Sequence, residues 1–73
     1  MVKTIYTKGH RQITKQLKKA RIESGLDQEK VAKLLGKSQP YVSKVESGQR
    51  RIDIIQLKEF SRIYRKKLSF FIK

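Results

Sequence analysis

The sequence predicts an all-α fold, a compact bundle of four to five helices, on three observations. Gly25, Gly36 and Gly48 each follow an amphipathic run, at the place where a left-handed residue ends a helix. Asp27, Ser38 and Asp53 each stand just ahead of such a run, where a side-chain oxygen caps a helix start. Within the runs, apolar residues recur at three- and four-residue spacing, the period of a helix buried on one side.

A first helix is expected over residues 8–24. Ile13, Leu17, Ala20 and Ser24 share one face there, while Lys15, Lys18 and Lys19 point elsewhere. The second, residues 28–35, starts after the cap Asp27, with Leu26 and Val31 placed as a hydrophobic staple. Its inner stripe is Val31, Ala32 and Leu35, and the small Ala32 lets a second helix cross closely. The third, residues 39–47, has Ser38 as its cap and Pro40 in its first turn, where a missing N–H costs nothing. Val42 and Val45 point inward. The fourth, residues 54–65, begins with Asp53 and Gln56 as a box-like pair and Ile52 and Leu57 as a staple. Ile55, Phe60, Ile63 and Tyr64 are expected to supply much of its buried side. Around residues 69–72 the chain forms either a fifth helical turn or an extended tail. Residues 1–7 read as an N-terminal arm, with strand-like alternation at 4–6. No repeat, low-complexity tract or linker interrupts the chain, so one domain is expected.

Composition bounds what such a domain does. Seventy-three residues lie close to the smallest size at which an apolar core stands unaided. With no Cys and one His, disulfide staples and a Cys/His zinc site are not available, and neither metal nor cofactor is expected. His10 has no partner at metal spacing and reads as a surface helix residue. No apolar run is long enough for a membrane span or a signal peptide, which makes a cytoplasmic location the expectation. Nineteen Lys and Arg against six acids leave a net charge of +13, a field that favours phosphate, anionic lipid or acidic partners.

The third helix narrows the choice. On a helical wheel Gln39, Pro40, Ser43, Lys44 and Ser47 cluster opposite Val42 and Val45. That outward side is short, polar and nearly uncharged, whereas an ordinary solvated face is dense in Glu and Lys. Gln pairs bidentately with adenine, Lys donates to guanine O6 and N7, and Ser bonds either way. Pro40 offers at most a thymine-methyl contact or a shaped surface. Ser43 and Ser47 serve as well as plain solvent-facing residues. Gln49, Arg50 and Arg51 follow in a loop placed to run along a sugar–phosphate backbone, and Lys37, in the turn before the third helix, is a weaker candidate of the same kind. Lys15, Lys18 and Lys19 read as a general positive field, and Arg65, Lys66 and Lys67 as charges that suit a helix C-terminus.

At these residues the chain resembles the phage-repressor (Cro/cI-like, or XRE) helix-turn-helix family. The resemblance rests on Arg21, Gly25-Leu26, Gln28, Val31-Ala32, Leu35-Gly36, Gln39, Val42-Ser43, Glu46, Gly48 and the Arg50-Arg51 pair before Ile52. It covers about residues 17–64 and implies a five-helix domain whose second and third helices, residues 28–47, form the DNA-reading unit. It also implies a phosphate contact by Gln28, base contacts by Gln39, Pro40, Ser43 and Lys44, and a pairing of Arg21 with Glu46. Arg21 shares the apolar face of its helix, where an unpaired charge is costly, so a structural role for the pair is expected. On that reading Glu46→Ala lowers stability and leaves base preference intact. Two residues depart from the family's pattern. Asp27 replaces what is often a neutral cap and weakens the nearby phosphate contact, and Pro40 replaces a frequent base-contacting polar residue.

The resulting expectation is a sequence-specific duplex-DNA-binding regulator, a small repressor or activator working as a homodimer on inverted repeats about one helical turn apart. The alternative is a DNA-binding antitoxin or an adaptor whose main partner is a protein. A cationic membrane-surface or nonspecific RNA binder calls for segregated faces or exposed aromatics, and the three Tyr and three Phe fall mostly at core or terminal positions instead. An enzyme is not expected, because no catalytic residues, nucleophile–base pair or phosphate-binding Gly loop can be picked out. Leu68, Phe70, Phe71 and Ile72 either form a dimer interface or fold back over the core.

Overall fold

Capping chemistry decides where these helices start and stop. The computed structural model describes residues 8–72, and the expected N-terminal arm, residues 1–7, lies outside them. Five helices follow in order: α1 (Lys8–Glu23), α2 (Gln28–Leu35), α3 (Gln39–Glu46), α4 (Ile54–Tyr64) and α5 (Leu68–Phe71). The Asp27 carboxylate accepts the Lys30 N–H at 2.7 Å and opens α2. At its end Gly36 adopts φ 72°, which lets the Lys37 N–H reach the Ala32 carbonyl at 2.8 Å and tie off the helix. Asp53 and Gln56 form a full capping box on α4, with bonds of 2.8 and 2.9 Å in the two directions.

Several expectations need correction. The Ser38 hydroxyl makes no capping bond. Pro40 removes one first-turn donor, and the Tyr41 N–H bonds to the Ser38 carbonyl at 3.1 Å, so little is left for the side chain to satisfy. The first, third and fourth helices each end one residue early. Ser24 lies in the turn that Gly25 closes, Ser47 is the cap of α3, and Arg65 is left-handed with φ 56°. The last helix starts at Leu68 and closes at Phe71. Ile55 is not part of the core but 66% exposed. The capping box sets the phase of α4 so that Leu57, Phe60 and Tyr64 face inward, and Ile55 falls on the opposite side. Ser24 is exposed, whereas Leu35 and Ile63 are half-buried at the core's edge.

Arg65 carries a testable consequence. A left-handed residue with a Cβ costs about 1–2 kcal/mol, and glycine's extra freedom in the unfolded chain takes back part of that. Arg65→Gly is expected to stabilise the fold by about 0.5–1 kcal/mol. An unchanged or lower melting temperature would show that Arg65 makes a compensating contact.

The core draws on every helix: Leu17 and Ala20 from α1, Val31 and Ala32 from α2, Val42 and Val45 from α3, Leu57, Phe60 and Tyr64 from α4, and Phe71 from α5. Ala32 is 3% exposed on α2, whose contact with α3 is the most extensive helix–helix contact among the described residues. The C-terminal residues fold back. Phe71 is fully buried, Leu68 and Phe70 are partly so, and the Gln16 amide donates to the Phe70 carbonyl at 3.0 Å, which fastens α5 to α1. Only Ile72 of this group stays largely exposed.

Candidate nucleic-acid interface

α2, the Gly36 turn and α3 form a helix pair with the outer side of α3 turned to solvent. Gln39, Pro40, Lys44 and Ser47 are exposed there and Ser43 is half-buried, opposite the buried Val42 and Val45. The Ser47 hydroxyl donates back to the Lys44 carbonyl at 3.2 Å, so its proton already serves the helix end. Gly48, with φ 84°, lets the Gln49 N–H close on the Lys44 carbonyl at 3.0 Å and sends Gln49, Arg50 and Arg51 away as an exposed loop. Lys37 is exposed at the other end of α3.

Four of the residues singled out in the sequence join into one hydrogen-bonded chain. Arg21 Nε donates to Glu46 Oε2 at 2.7 Å, and its Nη2 donates to Oε1 at 3.2 Å. Its Nη1 donates to the Leu26 carbonyl at 2.9 Å, so one guanidinium ties α1, the α1–α2 turn and α3 together. Gln28 Nε2 then donates to Glu46 Oε1 at 3.0 Å, and Gln39 Nε2 donates to Gln28 Oε1 at 2.6 Å. The polarity of this chain follows from chemistry. A carboxylate only accepts, so Gln28 must turn its NH₂ to Glu46 and its oxygen to Gln39. Gln39 is left with its own oxygen and one N–H facing outward.

This chain starts in a dry place. The side chains of Arg21 and Glu46 are 13% and 3% exposed. Hydrogen bonding to Glu46 raises the Arg21 pKa above its already high value, against the opposing effect of burial. Burial first, and the Glu46 charge second, push the Tyr64 hydroxyl far above its usual range. That hydroxyl is buried with no hydrogen-bond partner among the described residues.

Tyr41 organises the cations at the two ends of α3. Its ring stacks on Phe60, centroids 6.4 Å apart and 10° from parallel. Lys37 Nζ lies 5.5 Å from the Tyr41 ring centre and the Arg50 guanidinium 5.0 Å. Burial raises the Tyr41 pKa, partly offset by the Arg50 charge. The sequence alone assigns Tyr41 no role. The available signal is an aromatic residue between two candidate phosphate-binding cations, but only the folded chain shows that both reach it. His10 is half-buried on α1, near Gly48.

Among the described residues, no group of His, Cys, Asp and Glu is arranged to hold a metal ion, and no helix is long and apolar enough to cross a membrane. Comparison with known families finds that a helix-turn-helix family matches residues 17–71. No curated protein gives a match.

Proposed function

The chain belongs to the Cro/C1-type (XRE) helix-turn-helix family of DNA-binding transcription regulators, and from that premise we propose that it reads duplex DNA sequence-specifically with α3 in the major groove. The carrying observation is the chain Arg21–Glu46–Gln28–Gln39, which holds Gln39 with one donor and one acceptor facing outward. Adenine presents the complementary pair, an N7 acceptor and an N6 donor, on its major-groove edge. Lys44 suits guanine O6 and N7, Ser43 bonds to either kind of edge, and Pro40 meets a thymine methyl or only shapes the surface. Lys37, Gln49, Arg50 and Arg51 take phosphates, positioning the reading helix without carrying sequence information, while Gln28 gives its remaining N–H to a phosphate and its oxygen to orienting Gln39. Tyr41 supports this by holding Lys37 and Arg50 at opposite ends of α3.

On this reading the chain acts as one domain in the cytoplasm, with residues 28–47 as its reading unit. It controls transcription by occupying its site rather than by catalysis. Two copies bind an inverted repeat with half-sites about one helical turn apart.

Selection from a random duplex pool, sequenced after binding at low and higher salt, tests this directly. An inverted repeat that persists at higher salt is the expected result. No enriched sequence, with binding that collapses as salt rises, would overturn base reading and leave a phosphate binder. Gln39→Ala should then remove discrimination at one adenine, worth about 1–3 kcal/mol, while leaving the rest of the selected site unchanged.

A further inference from the structure

The reading face accounts for only part of the positive charge. α1 carries Arg11, Lys15, Lys18 and Lys19, all exposed. Arg11, Lys15 and Lys18 follow at four- and three-residue spacing and form one stripe, with Lys19 beside it. Glu23 is the only acid in α1, and it is already paired with Lys66 at 3.1 Å. The arrangement works against the helix that bears it. Arg11–Lys15 and Lys15–Lys19 are like-charged neighbours one turn apart, and the first turn of α1 holds no acid to complement the helix dipole. A face that served solvation alone would mix its signs.

The placement of the stripe points to what it meets. α5 and the turn before it lie against another side of α1, through Gln16 to Phe70 and Glu23 to Lys66. α3 lies against α1 where Arg21 binds Glu46. The stripe borders an open groove that Glu46 of α3 also lines, beside the place where Arg21 ties α1 to α3. Because Arg21 neutralises Glu46, that wall does not repel an anion. From Arg11 to Lys18 the stripe spans about 10 Å along the helix axis. That length reaches about two or three successive phosphates of one strand.

We infer that the Arg11–Lys15–Lys18 stripe of α1 is a second phosphate-binding surface, which holds the sugar–phosphate backbone of the same duplex beyond the bases that α3 reads. This rests on the duplex-DNA reading above. It assigns to α1 a share of affinity and salt sensitivity, with no share in base choice.

The test compares two variants of the full chain that lose equal charge. One is Arg11→Gln, Lys15→Gln, Lys18→Gln; the other is Lys58→Gln, Arg62→Gln, Lys67→Gln, exposed cations of α4 and of the turn into α5. Binding is measured over a salt series to the selected duplex with long flanks and to a random-sequence duplex. The α1 variant should lower the slope of log affinity against log salt by about 2–3, at about 0.9 per lost phosphate contact, and keep the selected sequence. The control should change the slope by less than about 1. Trimming the flanks should reproduce the loss with the unmodified chain and add little to it in the α1 variant. Thermal unfolding keeps the comparison clean, since removing like-charge repulsion leaves α1 at least as stable. Equal slopes for the two variants, or a slope indifferent to flank length, would overturn the inference while leaving base reading intact. If selection yields no motif, base reading fails, and the random-sequence duplex still decides whether α1 binds phosphates.

Discussion

Glu46→Ala is expected to lower the stability of the fold by on the order of 3 kcal/mol, because it leaves the Arg21 guanidinium largely buried without its carboxylate. A small domain holds only about 5–15 kcal/mol in total, so the loss takes a large share. It should be visible as a fall of roughly 12 °C or more in melting temperature. Read from the sequence, this substitution spares base preference; the bond from Gln28 to Glu46 changes that expectation. Without the carboxylate nothing obliges Gln28 to turn its oxygen to Gln39, and Gln39 can present its amide either way round. Glu46→Gln separates the two effects, since it keeps the shape and a hydrogen-bonding group but removes the enforced polarity. Repeating the duplex selection with Glu46→Gln should show weaker discrimination at the Gln39 base pair and unchanged preference elsewhere. Full retention of that preference would mean that Gln39 is oriented by DNA alone.

Phe71→Ala should be comparably damaging, costing about 3–5 kcal/mol through the lost apolar contact and the cavity left behind. The reason is position: Phe71 is fully buried against the bundle, two residues from the end of the chain. The measurement that matters is thermal unfolding at several protein concentrations. A core role predicts a destabilisation that does not vary with concentration. If Phe71 instead joined two copies, its loss would show mainly as a change in the concentration dependence of the melting temperature. Phe70 offers a contrast, being half-buried with its ring edge-on to Phe71 at 5.2 Å and Lys66 at 4.8 Å from its ring centre.

The helices were legible wherever local chemistry set their limits. Asp27 and Asp53 cap as their sequence neighbours imply, and Gly25, Gly36 and Gly48 are all left-handed. Legibility failed where a second chemistry competed at the same position. At Ser38 the backbone and Pro40 leave the hydroxyl unused, and at Arg65 a left-handed turn forms without glycine. Ile55 is exposed despite its apolar side chain because apolar character alone does not state the phase of a helix; the capping box does. Of the candidate interface, the residue types and their helical face could be read directly. The hydrogen bonds that join Gln28 to Glu46 and Gln39 to Gln28, and the two cations held over Tyr41, could not, because each joins residues whose distance depends on how two helices cross.

By itself the sequence determined the all-α class, the order of the helices, the placement of a polar outward face on α3 and the excess of positive charge. These follow from helical period, capping side chains and composition, properties that act over a few residues or need no geometry at all. Only the tertiary structure decided that Phe71 completes the core, that the α1 cations border a groove that Glu46 of α3 also lines, and that a buried carboxylate sets the polarity of Gln28 and through it of Gln39. Those outcomes depend on the mutual placement of separate helices, which side-chain packing selects and no single stretch of chain encodes.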